Sequence, residues 1–267
     1  MKNLLINFLT ILFLLSIGLV SCKKENSEPA PQLPPESSFV MDFSGFANAN
    51  DTLNSREIAS YQNWGHSFVS VTVWNAIITV GLAVPVAAFY ESFNHQAVYH
   101  PDENNWTWSY NFKAGGVWHE AELTGFFISD TVNWEMRITK DGFYSDFLWY
   151  TGKNSFERSG GYWILNENPD NPNELLQIDW TYEGGGIGDI SYTNIKPGSP
   201  ENGGYINYGT MAGDLTRFYD IFNKGQDNLT EIEWNHNDNH GRVADPGKFG
   251  DTNWHCWDVT LQDVICP

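Results

Sequence analysis

The clearest pattern in the chain is an alternation of aromatic and polar residues. From Asn105 to Phe112 every second residue is aromatic, and the residues between them are polar. This period of two predicts a strand with one buried face. Similar runs follow as far as Val259, and Asp141-Gly142 between two of them is a strong β-hairpin signal. The pattern therefore predicts a mainly β fold.

The spacing of these runs predicts how the strands are connected. Short strands at even spacing with tight turns indicate an antiparallel meander. We expect about ten strands that close into a β-barrel or fold as a sandwich. A meander in sequence order favours the up-and-down barrel. This arrangement resembles a lipocalin-type barrel in outline only, and the analogy is architectural.

One segment before the strands has a different pattern. Residues 68–90 contain no charged residue. Their polar residues recur at helical spacing: Thr72, Asn75 and Thr79. We therefore expect an apolar helix near residues 57–92 that packs against the sheet, kinked or ended by Pro85. By length alone the segment could also span a membrane, and its β-branched residues leave a pair of strands as a third possibility.

The first residues have the features of an export signal. Lys2 precedes an apolar run from Leu4 to Val20, which is typical of a secretory signal peptide. The run ends in Leu19-Val20-Ser21-Cys22, which resembles the lipobox of bacterial lipoproteins. The resemblance implies cleavage before Cys22, a diacylglycerol on its thiol and an acyl chain on its new amino group. Three chains would hold the protein on a membrane, because each buried methylene contributes about 0.8 kcal/mol.

The lipobox also organises the rest of the chain. We expect a signal peptide at 1–21, an acylated cysteine and proline-rich tether at 22–38, and a single β-rich domain at 39–267. Lys23 follows the cysteine where lipoproteins retained in the inner membrane carry Asp, so the resemblance implies the outer membrane. Of three cysteines, Cys256 and Cys266 remain, and outside the cytoplasm we expect them to form a disulfide.

Composition limits the possible partners. The chain has 267 residues, with 14 basic and 33 acidic residues and a net charge of −19. So acidic a surface repels phosphate backbones, which argues against a nucleic-acid partner. A lipid anchor needs no basic patch, so a membrane remains compatible with this charge. No phosphate-binding loop is present, and we expect no cofactor.

Aromatic residues form the first candidate site. They make up 15% of the chain and are able to line an apolar pocket or stack on sugar rings. The candidates for ligand binding are Trp106, Trp108, Trp134, Trp149 and Trp180. Each lies in phase with the apolar face of its strand, so core packing is the favoured interpretation.

Two polar clusters are further candidates. Glu231 and Glu233 share one face of a predicted strand about 6–7 Å apart, a separation compatible with glycoside hydrolysis, and Asp179 could join them. On a strand, His236, Asp238 and His240 would share a face as metal ligands. The asparagines and glycine around them favour a hairpin loop instead.

These observations lead to one expected function and two alternatives. We expect a lipoprotein anchored in the outer membrane, with a β domain that binds an apolar or glycan ligand without catalysis. Neither Gly-x-Ser-x-Gly nor His-Glu-x-x-His is present. A glycan-acting hydrolase with paired carboxylates is the first alternative. A structural envelope protein whose partners are other proteins is the second.

Overall fold

The computed structural model describes residues 29–41, 43, 46, 61–183 and 186–267. Within them, fourteen strands form one antiparallel sheet, and each strand pairs with its neighbours in sequence. The strands are β1 (Val98–His100), β2 (Asn105–Ala114), β3 (Val117–Ile128), β4 (Thr131–Lys140), β5 (Tyr144–Ser155), β6 (Gly160–Asn168), β7 (Asn171–Glu183), β8 (Gly186–Asn194), β9 (Tyr205–Thr210), β10 (Arg217–Asn223), β11 (Asn228–Trp234), β12 (Gly241–Ala244), β13 (His255–Trp257) and β14 (Asp263–Val264). The signal peptide, Cys22 and residues 22–28 of the predicted tether lie outside the described residues.

The mainly β meander is confirmed, but the expected barrel is not. Among the described residues, β1 pairs only with β2 and β14 pairs only with β13, so the sheet stays open. The predicted count of about ten strands is wrong, since the pattern misses β1, β12 and β14. These strands have only three, four and two residues, which is too short for alternation to be visible.

The alternation of residue types sets the two faces of the sheet. On β2, Trp108, Tyr110 and Phe112 are buried, whereas Ser109 and Asn111 are exposed. Successive side chains of a strand point to opposite faces, so every second residue reaches the core. The long strands β4, β7 and β11 follow the same pattern. One face therefore carries the aromatic core and the other is polar.

The N-terminal part of the domain packs across the buried face of the sheet. Phe39 is completely buried, and the Met41 N–H donates a hydrogen bond of 2.7 Å to the Tyr192 hydroxyl. Farther along, the Phe46 ring lies 5.0 Å from the ring of Trp234. Met41 and Phe46 thus contact β8 and β11, which are not neighbours in the sheet.

Two helices, α1 (Gln62–Gly81) and α2 (Ala83–Ser92), lie between this segment and β1. The first packs against β12, β13 and β14, and the second against β2. The pair thus contacts strands near both ends of the strand order. A third helix, α3 (Pro246–Phe249), follows β12.

The break between α1 and α2 falls at Leu82, three residues before the expected interruption. Pro85 is instead the third residue of α2. In the first turn of a helix the missing N–H of proline has no intrahelical partner to lose, so proline is tolerated there. Gly81 ends α1, which agrees with its low helix propensity.

Only one side of α1 packs on the core. Val71 and Ile78 are buried, whereas Val73, Ile77 and Val80 are exposed. No single helix in the described part of the chain is long and apolar enough to cross a membrane, whereas α1 and α2 together, bent by 67°, have the required length and composition.

Candidate ligand cleft

A cleft of about 670 Å³ lies beside the last strands of the sheet. Its walls come from the loop before β10, the β11–β12 hairpin and the C-terminal residues. The lining residues are Met211, Ala212, Asp214, Leu215, Glu233, His240, Gly241, Arg242, Trp254, Cys256, Trp257, Asp258, Val259, Val264, Cys266 and Pro267. Small-molecule sites have volumes of about 300–1,000 Å³ and largely apolar walls with a few fixed polar groups, and this cleft fits that description.

The fixed polar group of the cleft is an arginine between a carboxylate and an indole. Glu233 on β11 and Arg242 on β12 are directly paired across the hairpin. The Arg242 Nε and Nη2 lie 2.7 and 2.6 Å from the same Glu233 oxygen. The guanidinium also lies 4.2 Å from the centre of the Trp254 ring. This arrangement holds a cation–π contact and an ion pair in one geometry.

A histidine at the hairpin turn forms the polar rim. His240 Nδ1 lies 2.6 Å from Asp238, and its Nε2 lies 3.1 Å from Asp214 in the loop before β10. Burial alone would lower the pKa of His240, but the hydrogen bonds to both carboxylates outweigh it and raise the pKa. The imidazole therefore connects the two loops that border the cleft.

The C-terminal wall of the cleft is held by a disulfide. Cys256 on β13 and Cys266 are joined, with their Cα atoms 5.2 Å apart. The predicted pairing of these two cysteines is therefore supported. The bond attaches the last residues to β13 and so keeps Val264 at the cleft.

The predicted ligand-binding tryptophans lie elsewhere. Trp108, Trp134, Trp149 and Trp180 are buried on the core face of the sheet. Trp106 is half-buried, with its ring 4.9 Å from that of Tyr99. None of the five is among the residues that line the described cleft. Their positions agree with the core-packing interpretation that the phase of the strands favoured.

The predicted carboxylates are only partly brought together. Glu231 and Glu233 lie on the polar face of β11, and Asp220 on β10 is paired directly with Glu231. Burial and the two glutamates raise the pKa of Asp220 to about 6. Asp179 lies on β7, four strands from β11 and so about 19 Å away. The structure thus adds Asp220, which the sequence did not single out, and separates Asp179.

The predicted metal ligands lie in the β11–β12 turn. His236 and Asp238 are exposed there, and both nitrogens of His240 are occupied by aspartates. Within the described residues no group of three or more His, Cys, Asp or Glu side chains could hold a metal ion. The segment is a turn, as its asparagines and glycine favoured, so the three side chains do not share a strand face.

Comparisons with known proteins give no family assignment. No protein-family model matches the chain, and no curated protein or solved structure matches it significantly.

Proposed function

We propose that this chain is a lipoprotein of the outer membrane whose β domain binds a neutral ligand, apolar or a glycan, in the cleft beside β11–β13. The lipobox at Cys22 supports the anchor, and the observation that carries the binding role is the Arg242–Glu233–Trp254 arrangement in a largely apolar cleft. Residues fixed in this way offer a preorganised polar contact at low entropic cost.

The charges around the cleft favour a neutral ligand. Glu233 neutralises Arg242, and Asp214 and Asp258 add negative charge. An anionic ligand would meet this negative field without a free cation to pair with. An apolar body would instead contact Met211, Leu215 and Val264, and a polar end would reach the guanidinium.

A blocking substitution tests the binding role. Ala212 is exposed at the cleft, so Ala212→Trp should fill its mouth without disturbing the core. Thermal unfolding of the full-length protein would be followed with a panel of neutral oligosaccharides and neutral apolar compounds. The proposal predicts a rise in melting temperature with at least one compound, lost in Ala212→Trp.

The control variant is Ala76→Trp, which places the same side chain at an exposed position on α1. It should retain the shift. A compound that stabilises both variants equally would bind elsewhere, and a panel that stabilises neither the unmodified protein nor the control would contradict the binding role.

One observation favours the hydrolase as a second candidate. Asp220, whose pKa is raised to about 6 by burial and by the neighbouring glutamates, faces Glu231 across a strand pair. A carboxyl group with a raised pKa suits the general acid of such a reaction. Side chains opposite each other on neighbouring strands lie about 5 Å apart at Cβ. Turnover of a glycan that is abolished by Glu231→Gln and retained in Asp179→Asn would establish this activity at these residues.

A further inference from the structure

The described chain enters the fold at one end of the sheet. Pro31 is buried, and its Cγ lies 3.2 Å from the position that a Cβ on Gly125 would take. The Arg158 Nη1 donates a hydrogen bond of 3.1 Å to the Leu33 carbonyl. Gly125 is near the end of β3, and Arg158 lies in the β5–β6 turn. Residues 31–33 thus run along the end of the sheet that carries the β3–β4 and β5–β6 turns.

This end also exposes apolar side chains. Ile128 and Phe156 are 50% and 51% exposed, and the Phe156 ring lies 5.2 Å from that of Phe127. The Phe156 N–H donates to the Asp130 carbonyl at 3.4 Å, which joins the two turns. We call Ile128, Phe127 and Phe156 the entry tip.

The length of chain before residue 29 limits how far the entry tip lies from the proposed anchor. Pro29 follows Cys22 by seven positions, and a chain of that length spans at most about 25 Å. From Gly125 to Trp118, β3 alone rises about 23 Å. An anchor at Cys22 therefore reaches the entry tip easily, and reaches the opposite end of the sheet only when almost fully extended.

We propose that the entry tip rests on the lipid bilayer that holds the acyl chains of Cys22, with Ile128 and Phe156 inserted among the headgroups. The inference rests on the proposed lipid anchor. The charged residues of the two turns are the exposed Asp130 and Glu157 and the half-buried Arg158, so no basic patch attracts the tip to lipid and its attraction comes from burial of apolar side chains.

The opposite end of the sheet offers a different surface. There Lys113 lies 4.7 Å from the Trp118 ring centre and Lys140 lies 4.2 Å from that of Phe143. Lysines beside exposed aromatic rings suit anionic headgroups. Contact of this end with lipid would contradict the proposal, so the test compares the two ends.

Site-directed spin labels distinguish the two orientations in the full-length acylated protein. Cysteines introduced as Glu157→Cys at the entry tip and Asp141→Cys at the opposite end are both exposed. The native pair Cys256–Cys266 is blocked as a disulfide, and acylated Cys22 cannot react. In phosphatidylethanolamine–phosphatidylglycerol vesicles, the label at 157 should collide more with oxygen and less with a water-soluble nickel chelate than the label at 141.

Paired substitutions test which side chains make the contact. The double variant Ile128→Ser, Phe156→Ser should return the label at 157 to water, whereas Val117→Ser, Phe143→Ser at the opposite end should leave it in lipid. All four residues are exposed, and circular dichroism and thermal unfolding check that each variant keeps its fold. The proposed contact between the entry tip and lipid is overturned if the label at 157 reports water in the protein without these serine substitutions. It is likewise overturned if the label at 141 reports lipid.

The intact mass of the same sample separates this proposal from the anchor. If Cys22 is acylated and both labels are in water, the proposed contact of the entry tip with lipid is wrong and the proposed anchor is supported. A protein without acyl mass that does not float with vesicles overturns the anchor, and the entry tip with it.

Discussion

The guanidinium of Arg242 lies over the indole of Trp254, 4.2 Å from its centre, while binding Glu233. The ion pair crosses a hairpin, whereas Trp254 comes from the segment after α3. One side chain therefore connects three parts of the C-terminal region. This connection shapes the cleft to which we assign ligand binding.

Replacing Arg242 by lysine should destabilise the domain by about 1 kcal/mol, because lysine loses the two-nitrogen contact and most of the ring contact. Chemical denaturation would measure this difference. Arg137→Lys is the matched control, since the ion pairs of Arg137 with Glu135 and Asp146 and its hydrogen bond to the Asp146 carbonyl are exposed. This variant should change stability by less than about 0.5 kcal/mol. Equal losses of stability in the two variants would contradict the larger contribution that we expect from Arg242.

The packing of an indole against a glycine leads to a second prediction. Gly152 on β5 pairs with Trp163 on β6, and a Cβ on Gly152 would lie 2.1 Å from the Trp163 ring. Gly152→Ala should therefore cost about 1–3 kcal/mol through overpacking of the core.

The same substitution at Gly81 should change stability in the opposite direction. A Cβ there would meet no atom within 4 Å, and alanine restricts the unfolded chain, so Gly81→Ala should stabilise by about 0.5–1 kcal/mol. Thermal unfolding of the two variants side by side checks both values. Similar melting temperatures for them would contradict the close packing of Trp163 on Gly152.

The pH dependence of stability should reveal Asp220. Its folded pKa of about 6 exceeds the ordinary value of about 3.9. A raised folded pKa means that the stabilisation is fully present below the unfolded pKa of about 3.9 and is lost as the pH rises through the folded pKa of about 6. Asp220→Asn should consequently raise the free energy of unfolding at pH 7.5 by about 1 kcal/mol, allowing for solvent screening.

This effect is checked by urea denaturation at pH 4.5 and 7.5. Asp220→Asn should reduce the difference between the two conditions, while Asp170→Asn in the exposed β6–β7 turn should leave it unchanged. An undiminished difference in Asp220→Asn would mean that another group is responsible.

Asp245 should have the opposite dependence. Burial would raise its pKa, but hydrogen bonds from Asn228, Thr230, His66 and the Lys248 N–H lower it. The folded pKa lies below the unfolded value, so this stabilisation is present above about pH 4 and is lost as the pH falls through the folded pKa. Asp245→Asn should cost about 1–3 kcal/mol at pH 7 and less at a pH below about 4, as measured by denaturation. A constant cost at both pH values would show that the charge of Asp245 is not what matters.

The strands of this domain could be predicted from the sequence because their pattern is local. A period of two is visible in any run of six or more residues, and it also placed tryptophans such as Trp108 and Trp180 in the core. Closure of the sheet depends on whether β1 and β14 meet, which no local pattern reports. The contact of α1 with β12–β14 and of α2 with β2 likewise depends on tertiary packing.

The cleft was less visible in the sequence for a physical reason. Its residues come from separated segments, and its only local signal is the equal spacing of Glu233 and Arg242 about the turn. The alternate spacing of His236, Asp238 and His240 suggested metal ligands, whereas the asparagines around them favoured the turn that the structure shows. Asp220 was missed because its raised pKa arises from burial and from the two glutamates on the neighbouring strand, which a local sequence pattern does not show.

Native mass spectrometry of the full-length protein, extracted in detergent from its own membranes, tests the central claim most directly. It measures the acyl mass on Cys22, the state of Cys256–Cys266 and any retained ligand together. We predict a chain that begins at a triacylated Cys22, carries an intact disulfide and retains a neutral ligand that is absent from Ala212→Trp. A chain that keeps residues 1–21, or carries no lipid on Cys22, would contradict the anchor. An acylated chain without a ligand, or a ligand that Ala212→Trp retains equally, would contradict binding in the cleft.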